Sequence, residues 1–208
     1  MQGGLEARVY PIVDNLVAAE AFLEAGVGIL QFRHKQFWKR EVFNLAETIS
    51  RLCTDAKAHF IINDRADYAR ILKAGLHLGQ EDLLPADARS IIGPDAMIGF
   101  STHNALQMAA AANEPVDYVA FGPVFPTRSK ENPDPTTGIA GLKTVRALTR
   151  RPLVAIGGIT RENAALCWRA GADSVAVIAD LIPDPCNKHT LRARMDEWLR
   201  LAKQTQTP

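Results

Sequence analysis

The feature of this sequence that most restricts its fold is an alternation, repeated eight times, of a short apolar run and a longer amphipathic stretch. The runs occupy residues 8–13, 27–32, 59–62, 76–78, 97–100, 117–122, 153–156 and 174–178. In the stretches 18–25, 40–55, 66–73, 85–92, 105–112, 142–148, 161–170 and 191–202, apolar side chains recur three and four positions apart, as in helices that cover a sheet. The runs are apolar almost throughout, the pattern of parallel strands buried on both faces, and strict β-α alternation implies right-handed crossovers. Eight such units in 208 residues predict a single-domain α/β protein, a (β/α)8 TIM barrel over about 8–203 with a frayed tail at 204–208. No length is left for a second domain.

The two kinds of junction differ in chemistry. Where helices run into strands, Gly26, Gly75 and Gly171 stand at the boundary, and the expectation is a left-handed helix cap at each. Where strands run into helices the sequence is polar: 31–35, 63–65, 79–82, 101–104 and 157–160. In a barrel of this kind the loops after the strands build the active site. The longest irregular piece, 123–138, carries Pro123, Pro126, Pro133 and Pro135 and reads as an active-site flap after the sixth strand.

Charge narrows the class of ligand. Lys and Arg number 24 against 23 Asp and Glu, so no general field for nucleic acid exists and any anion site is local. Cys53, Cys167 and Cys186 are far apart, without metal or redox spacing, which predicts neither a disulfide framework nor a zinc cage. No apolar stretch approaches the roughly 20 residues of a membrane span, and no secretory leader precedes the first strand. The expectation is a cytoplasmic protein with neither membrane nor nucleic-acid partner; a homo-oligomer is compatible with all of this.

Several polar residues fall at the expected mouth. Gly157 and Gly158 follow the seventh run, where barrels hold phosphate on backbone amides; a tight turn alone would also use them. Asp64 and Asp82 follow adjacent strands, and two carboxylates there repel unless Mg²⁺ joins them; each taken singly is an ordinary helix cap. Arg33, Lys35 and Lys130 offer a fork and two point charges to phosphate oxygens, against the common fate of solvated surface cations. His59 and His77, at the start of a strand and inside one, read as packed histidines, and His103 lacks a sequence-adjacent acidic partner. Lys39, Arg40, Arg150, Arg151 and the charges of the last helix, Arg194 among them, read as solvated faces, and Trp38, Trp168 and Trp198 as packing. Nucleophile-elbow, P-loop and dinucleotide fingerprints are absent.

Taken in order, 31–35 (Gln-Phe-Arg-His-Lys), Asn63-Asp64, 77–82, 101–103, 122–130 and 156–159 resemble the thiamine-phosphate synthase family over nearly the whole chain. The resemblance implies a transferase (EC 2.5.1.3) acting on small phosphorylated substrates. It joins 4-amino-5-hydroxymethyl-2-methylpyrimidine diphosphate to hydroxyethyl-methylthiazole phosphate, or its carboxylate, and gives thiamine phosphate and diphosphate. It further implies that the pyrimidine diphosphate lies against Gln31, Phe32, Arg33, His34, Lys35, Asn63, Ser101 and Lys130. By the same resemblance the thiazole phosphate lies against Thr127, Arg128, Ser129, Gly158, Ile178 and Ala179, with Mg²⁺ on Asp64 and Asp82. Arg33, Lys35, Ser101 and Lys130 are the implied catalytic groups for a dissociative reaction that needs no protein nucleophile. Ala179 departs from the family pattern, which has Ser. Two alternatives are a thiazole tautomerase paralogue, disfavoured by Asp82, the 101–103 motif and Pro123, and a non-catalytic barrel that binds thiazole phosphate.

Overall fold

The computed structural model describes residues 7–127 and 134–205. The expected eight units are all present: β1 (Val9–Val13), α1 (Leu16–Glu24), β2 (Ile29–Phe32), α2 (Arg40–Asp55), β3 (His59–Asn63), α3 (Ala66–Leu72), β4 (Gly75–Leu78), α4 (Pro85–Ile92), β5 (Ile98–Thr102), α5 (Ala105–Ala111), β6 (Tyr118–Phe121), α6 (Gly138–Leu148), β7 (Leu153–Ile156), α7 (Ala164–Arg169), β8 (Ser174–Val177) and α8 (Lys188–Gln204). A single 3-10 turn, Ala179–Leu181, follows β8. The strands pair in parallel in sequence order, and β8 closes on β1. The fold is a (β/α)8 TIM barrel.

Strand parity divides the apolar residues into two cores. Tyr10, Ile12, Ile29, Ile61, Tyr118, Ala120, Val154 and Ala176 point into the barrel. Their strand neighbours, among them Val9, Leu30, Phe32, Ile62, Leu76, Val119 and Val175, pack outward under the helices. Continuous apolarity in the sequence is thus two interleaved period-2 patterns, each facing a different core.

Differences from the sequence expectation have local causes. Helix α6 starts at Gly138, ahead of its periodic stretch, because Gly138 turns with φ +67° and its N–H donates to the Val124 carbonyl (3.0 Å). Helix α7 starts only at Ala164, since the Asn163 side chain accepts from the Thr160 amide (2.8 Å) and donates to the Gly158 carbonyl (3.0 Å), holding a turn. Helix α8 opens with an Asn187–Thr190 capping box and runs through Gln204, so residue 204 is helical rather than frayed; 206–208 lie outside the described residues. Gly26 and Gly171 adopt positive φ as expected, but Gly75 does not. The left-handed residue there is Lys73, and Gly75 is needed because a Cβ would overlap the Ile61 side chain.

Arginines at the N-terminal ends of the strands are not merely solvated. Arg89 pairs with Asp117 (2.8 Å), whose Oδ2 also accepts from the Ile98 amide (2.7 Å). Two strands on, Arg146 pairs with Asp173 (2.9 Å), whose Oδ2 accepts from the Leu153 amide (2.8 Å). Arg151 donates to the carbonyls of Ala112, Glu114 and Val116, and at the opposite end of the barrel, after β8, Arg194 donates to that of Asp180. Arg89, Arg146 and Arg151 thereby satisfy carbonyls of the loops that lead from helices into strands.

Candidate active site

A cavity of about 510 Å³ opens at the C-terminal ends of the strands. Inward parity over the last two residues of β2, β3, β4 and β5 puts Gln31, Asn63, His77 and Ser101 on its floor. The loops after β2, β3 and β4 add Arg33, Asp64 and Asp82, and the far wall is Gly157, Gly158, Ile178 and Ala179. Thr127 and Asp134, the described ends of the 123–138 segment, also line it, while Arg128, Ser129 and Lys130 lie outside the described residues.

The same parity removes Phe32. Its ring is fully buried in the outer core, edge-on to Trp38 (centroids 5.5 Å). His34 stacks on Phe32, lies edge-on to Trp38 and, like the exposed Lys35, is not part of the cavity wall. Of the segment 31–35, only Gln31 and Arg33 reach the cavity. Sequence spacing placed Lys35 with Arg33, but the chain leaves the strand after Phe32 and the alternation ends there.

Asp64 and Asp82 come within hydrogen-bonding reach of each other. Neither caps a helix: the N-cap of α3 is Arg65 and that of α4 is Leu84. The Asp82 Oδ2 accepts from the Gly79 amide (2.7 Å), and Asp64 sits at φ +64°, a conformation costly for a residue with a Cβ. The surrounding walls and the neighbouring Asp82 push the Asp64 carboxyl up to about 7, with Arg33 opposing. Asp64 is open at the cavity mouth, yet the concave walls limit the water that can solvate its charge.

At the opposite wall, Gly157 (φ +98°) and Gly158 (φ +62°) line the cavity and make the tight turn that glycine permits. Cβ atoms there would overlap Pro123 and Pro126, so glycine is what lets the 123–126 segment lie against β7. The Val124 and Phe125 amides donate to the Ile156 and Gly157 carbonyls (2.8 and 3.0 Å), fixing this contact. The turn at Ala179 is braced below by Asp180, which accepts from Arg161 and from the Trp198 indole (both 3.0 Å).

The least legible part of the site is beneath its floor. Gln31 Nε2 donates to the Tyr10 hydroxyl (3.0 Å), which meets the Tyr118 hydroxyl (2.8 Å). Tyr118 meets His77 Nδ1 (2.9 Å), and His77 Nε2 meets the Ser101 hydroxyl (2.8 Å). His77 is indeed packed and hydrogen-bonded, while His59 is exposed. Serine beside histidine resembles a nucleophile with its base, but the third partner is a phenol rather than a carboxylate. Burial also lowers His77 to about 4, too weak to act as a base near neutrality. Tyrosines at inward positions of β1 and β6 were the available sequence signal, since a buried hydroxyl requires a partner in the lumen. His103, in the wall, does gain an acidic neighbour: its Nδ1 lies 2.6 Å from the Gly122 carbonyl and 3.6 Å from Asp134, across the loop.

Comparison with known proteins gives this geometry a context. The family model described as thiamine monophosphate synthase matches residues 9–181. The thiamine-phosphate synthase of Koribacter versatilis is 47% identical, covering 97% of this chain and 99% of that protein. That of Methanoculleus marisnigri is 44% identical over 84% of this chain and 81% of the relative. The solved thiamine phosphate pyrophosphorylase of Pyrococcus furiosus superposes with a TM-score of 0.85 at 28% identity, covering 97% of this chain and 98% of that one. The chain therefore belongs to the thiamine monophosphate synthase family.

Proposed function

We propose that the cavity joins an aminopyrimidine diphosphate to a thiazole phosphate with the help of Mg²⁺, and that its two walls divide the work. Family membership makes the protein a thiamine-phosphate synthase, a transferase; the assignment of residues to roles is our reading. Gln31, Asn63 and Ser101 on the floor hold the pyrimidine, and Arg33 takes diphosphate oxygens at the mouth. Lys35 and Lys130 are carried from the family resemblance as further diphosphate contacts. Exposed amides around Gly158 and Ala179, with Thr127, hold the thiazole phosphate. Arg128 and Ser129 join them by the same resemblance.

The observation that carries this reading is the Asp64–Asp82 pair beside Arg33. Two carboxyls that disfavour each other's charge fit a hard dication, and Mg²⁺ needs only one or two carboxylates when phosphate oxygens and water complete its shell. Among the described residues no group of three or more His, Cys, Asp or Glu gathers, so this is a sparse donor set rather than a closed cage. Bound there, Mg²⁺ would neutralise charge on the leaving diphosphate.

The residues suit a dissociative route. The bond from the pyrimidine methylene to the diphosphate oxygen breaks, its electron pair leaving with diphosphate, and the thiazole nitrogen lone pair closes the new C–N bond. Arg33 stabilises the departing charge, and the floor positions the ring for capture. His77 is too weakly basic to intervene, and no step requires a protein nucleophile.

The test supplies both substrates with Mg²⁺ and follows thiamine phosphate and diphosphate. Product is expected to vanish in EDTA and to fall steeply in Asp82→Ala and Lys130→Ala. Undiminished turnover in EDTA, or wild-type turnover in Asp82→Ala, would remove the metal-assisted reading.

A further inference from the structure

We propose that Gln31, Tyr10, Tyr118, His77 and Ser101 form one polarised hydrogen-bond relay through the barrel lumen, which holds His77 as the Nε2–H tautomer and the Ser101 hydroxyl as a donor into the cavity. Five side chains from five strands make four consecutive contacts of 2.8 to 3.0 Å. All but Ser101 are buried.

The direction follows from donor chemistry. An amide nitrogen only donates, so Gln31 fixes the Tyr10 oxygen as acceptor. The Tyr10 hydrogen then has one remaining partner, the Tyr118 oxygen; the reverse arrangement would leave a fully buried O–H without an acceptor. Tyr118 in turn donates to His77 Nδ1. A neutral imidazole that accepts at Nδ1 carries its proton on Nε2, and it donates to Ser101 Oγ. Burial lowers the His77 pKa to about 4, so the ring is neutral under ordinary conditions. The Ser101 hydrogen, having no other acceptor among the described residues, is turned to the cavity that Ser101 lines.

Both ends of the relay are therefore set. Ser101 offers a donor, and Gln31, its nitrogen engaged below, offers its carbonyl oxygen as an acceptor. Such a floor suits a heterocycle whose edge carries an amino donor beside a ring-nitrogen acceptor, and opposes the 4-oxo analogue, in which these are reversed. This consequence for the substrate rests on the function proposed above; the polarity of the relay does not. Tyr10, Tyr118 and His77 are positioning residues, acting through Gln31 and Ser101.

The test reads the tautomer in the free protein by long-range ¹H–¹⁵N correlation of the imidazoles at pH 8, with His77 assigned by the signals lost in His77→Gln. Wild type is expected to show Nε2–H. Gln31→Glu keeps the shape, but a carboxylate only accepts, so the relay should reverse and His77 should become Nδ1–H, three contacts away from the substitution. Tyr10→Phe, which touches neither ligand, should give mixed tautomers. Its kcat/KM for the pyrimidine diphosphate should fall about tenfold while the KM for thiazole phosphate stays within twofold. Nδ1–H in wild type, or Nε2–H unchanged in both Gln31→Glu and Tyr10→Phe, overturns the relay. If Gln31→Glu does not fold, Tyr10→Phe alone decides. Lack of any synthase activity in wild type would instead strike the functional reading, leaving the tautomer measurement to stand or fall by itself.

Discussion

Gly99 on β5 is the register partner of Tyr118 on β6, and a Cβ on Gly99 would overlap the Tyr118 ring. The missing side chain leaves the space in which Tyr118 crosses the lumen to Tyr10 and His77. Gly99→Ala should accordingly destabilise the protein by about 2 kcal/mol, the cost of overpacking a filled core. Urea unfolding measures this, and a change below about 0.5 kcal/mol would show that the ring moves aside freely.

His77 makes stability depend on pH. Its pKa is about 4 in the folded protein, below the ordinary histidine value of about 6.5. Between these values the unfolded chain binds a proton that the native state does not, so stability is lost as pH falls through this window and is retained above it. The bound on this contribution is about 3 kcal/mol at pH 4. His77→Gln should flatten the unfolding free energy between pH 6.5 and 4.5, and an unaltered slope would place the dependence elsewhere.

Asp64 works in the opposite sense. A carboxyl raised to about 7 favours the fold while protonated, and this contribution is lost as pH rises from about 4 through 7. In EDTA at pH 8, Asp82→Asn should therefore be more stable than wild type by about 1 kcal/mol, because the repulsion is relieved. Mg²⁺ should raise the melting temperature of wild type and not that of the variant. Calorimetry with and without Mg²⁺ checks both; a less stable variant in EDTA contradicts the account of the pair.

Ala179 begins the turn after β8 and lines the cavity opposite the carboxylates. Ala179→Ser adds a hydroxyl beside the proposed phosphate position, and a hydrogen bond to a charged group lowers the KM for thiazole phosphate by about tenfold. The KM for the pyrimidine diphosphate should not move. Initial rates at varied thiazole phosphate decide, and an unchanged or higher KM rejects this placement of the phosphate.

Gly158→Ala should do the reverse. It places a Cβ at positive φ against Pro126, so the wall must shift. A rise of at least about tenfold in the KM for thiazole phosphate is expected, larger than any effect on Mg²⁺ dependence.

How much of this was legible in the sequence depends on the scale at which chemistry repeats. The eight units were legible because a strand buried on both faces and a helix buried on one leave different apolar periods. The pairing of Asp64 with Asp82 was legible once adjacent strands were counted. Motif contiguity grouped Phe32 with the cavity residues: neighbours along a strand point to opposite faces, so a motif read as a block mixes cavity residues with outer-core residues, and His34 lies past the end of β2, where the strand pattern no longer holds. The His77 to Tyr118 contact was not legible, because it joins strands through the lumen and depends on the side chain that Gly99 lacks. Arg151 and Arg194 were misread because charge alone does not reveal a buried carbonyl within reach.

The paired Arg89–Asp117 and Arg146–Asp173 contacts recur after two strand–helix units, each stitching an even-numbered helix to the strand two units on. An aspartate at each pin also accepts the first amide of the intervening strand, so three successive units share one anchor. From β5 onward the barrel is therefore linked by overlapping staples at the end remote from the cavity. Unfolding that begins in this half has no weak seam at which to stop, so hydrogen exchange from β5 to β8 should proceed through one common opening rather than unit by unit.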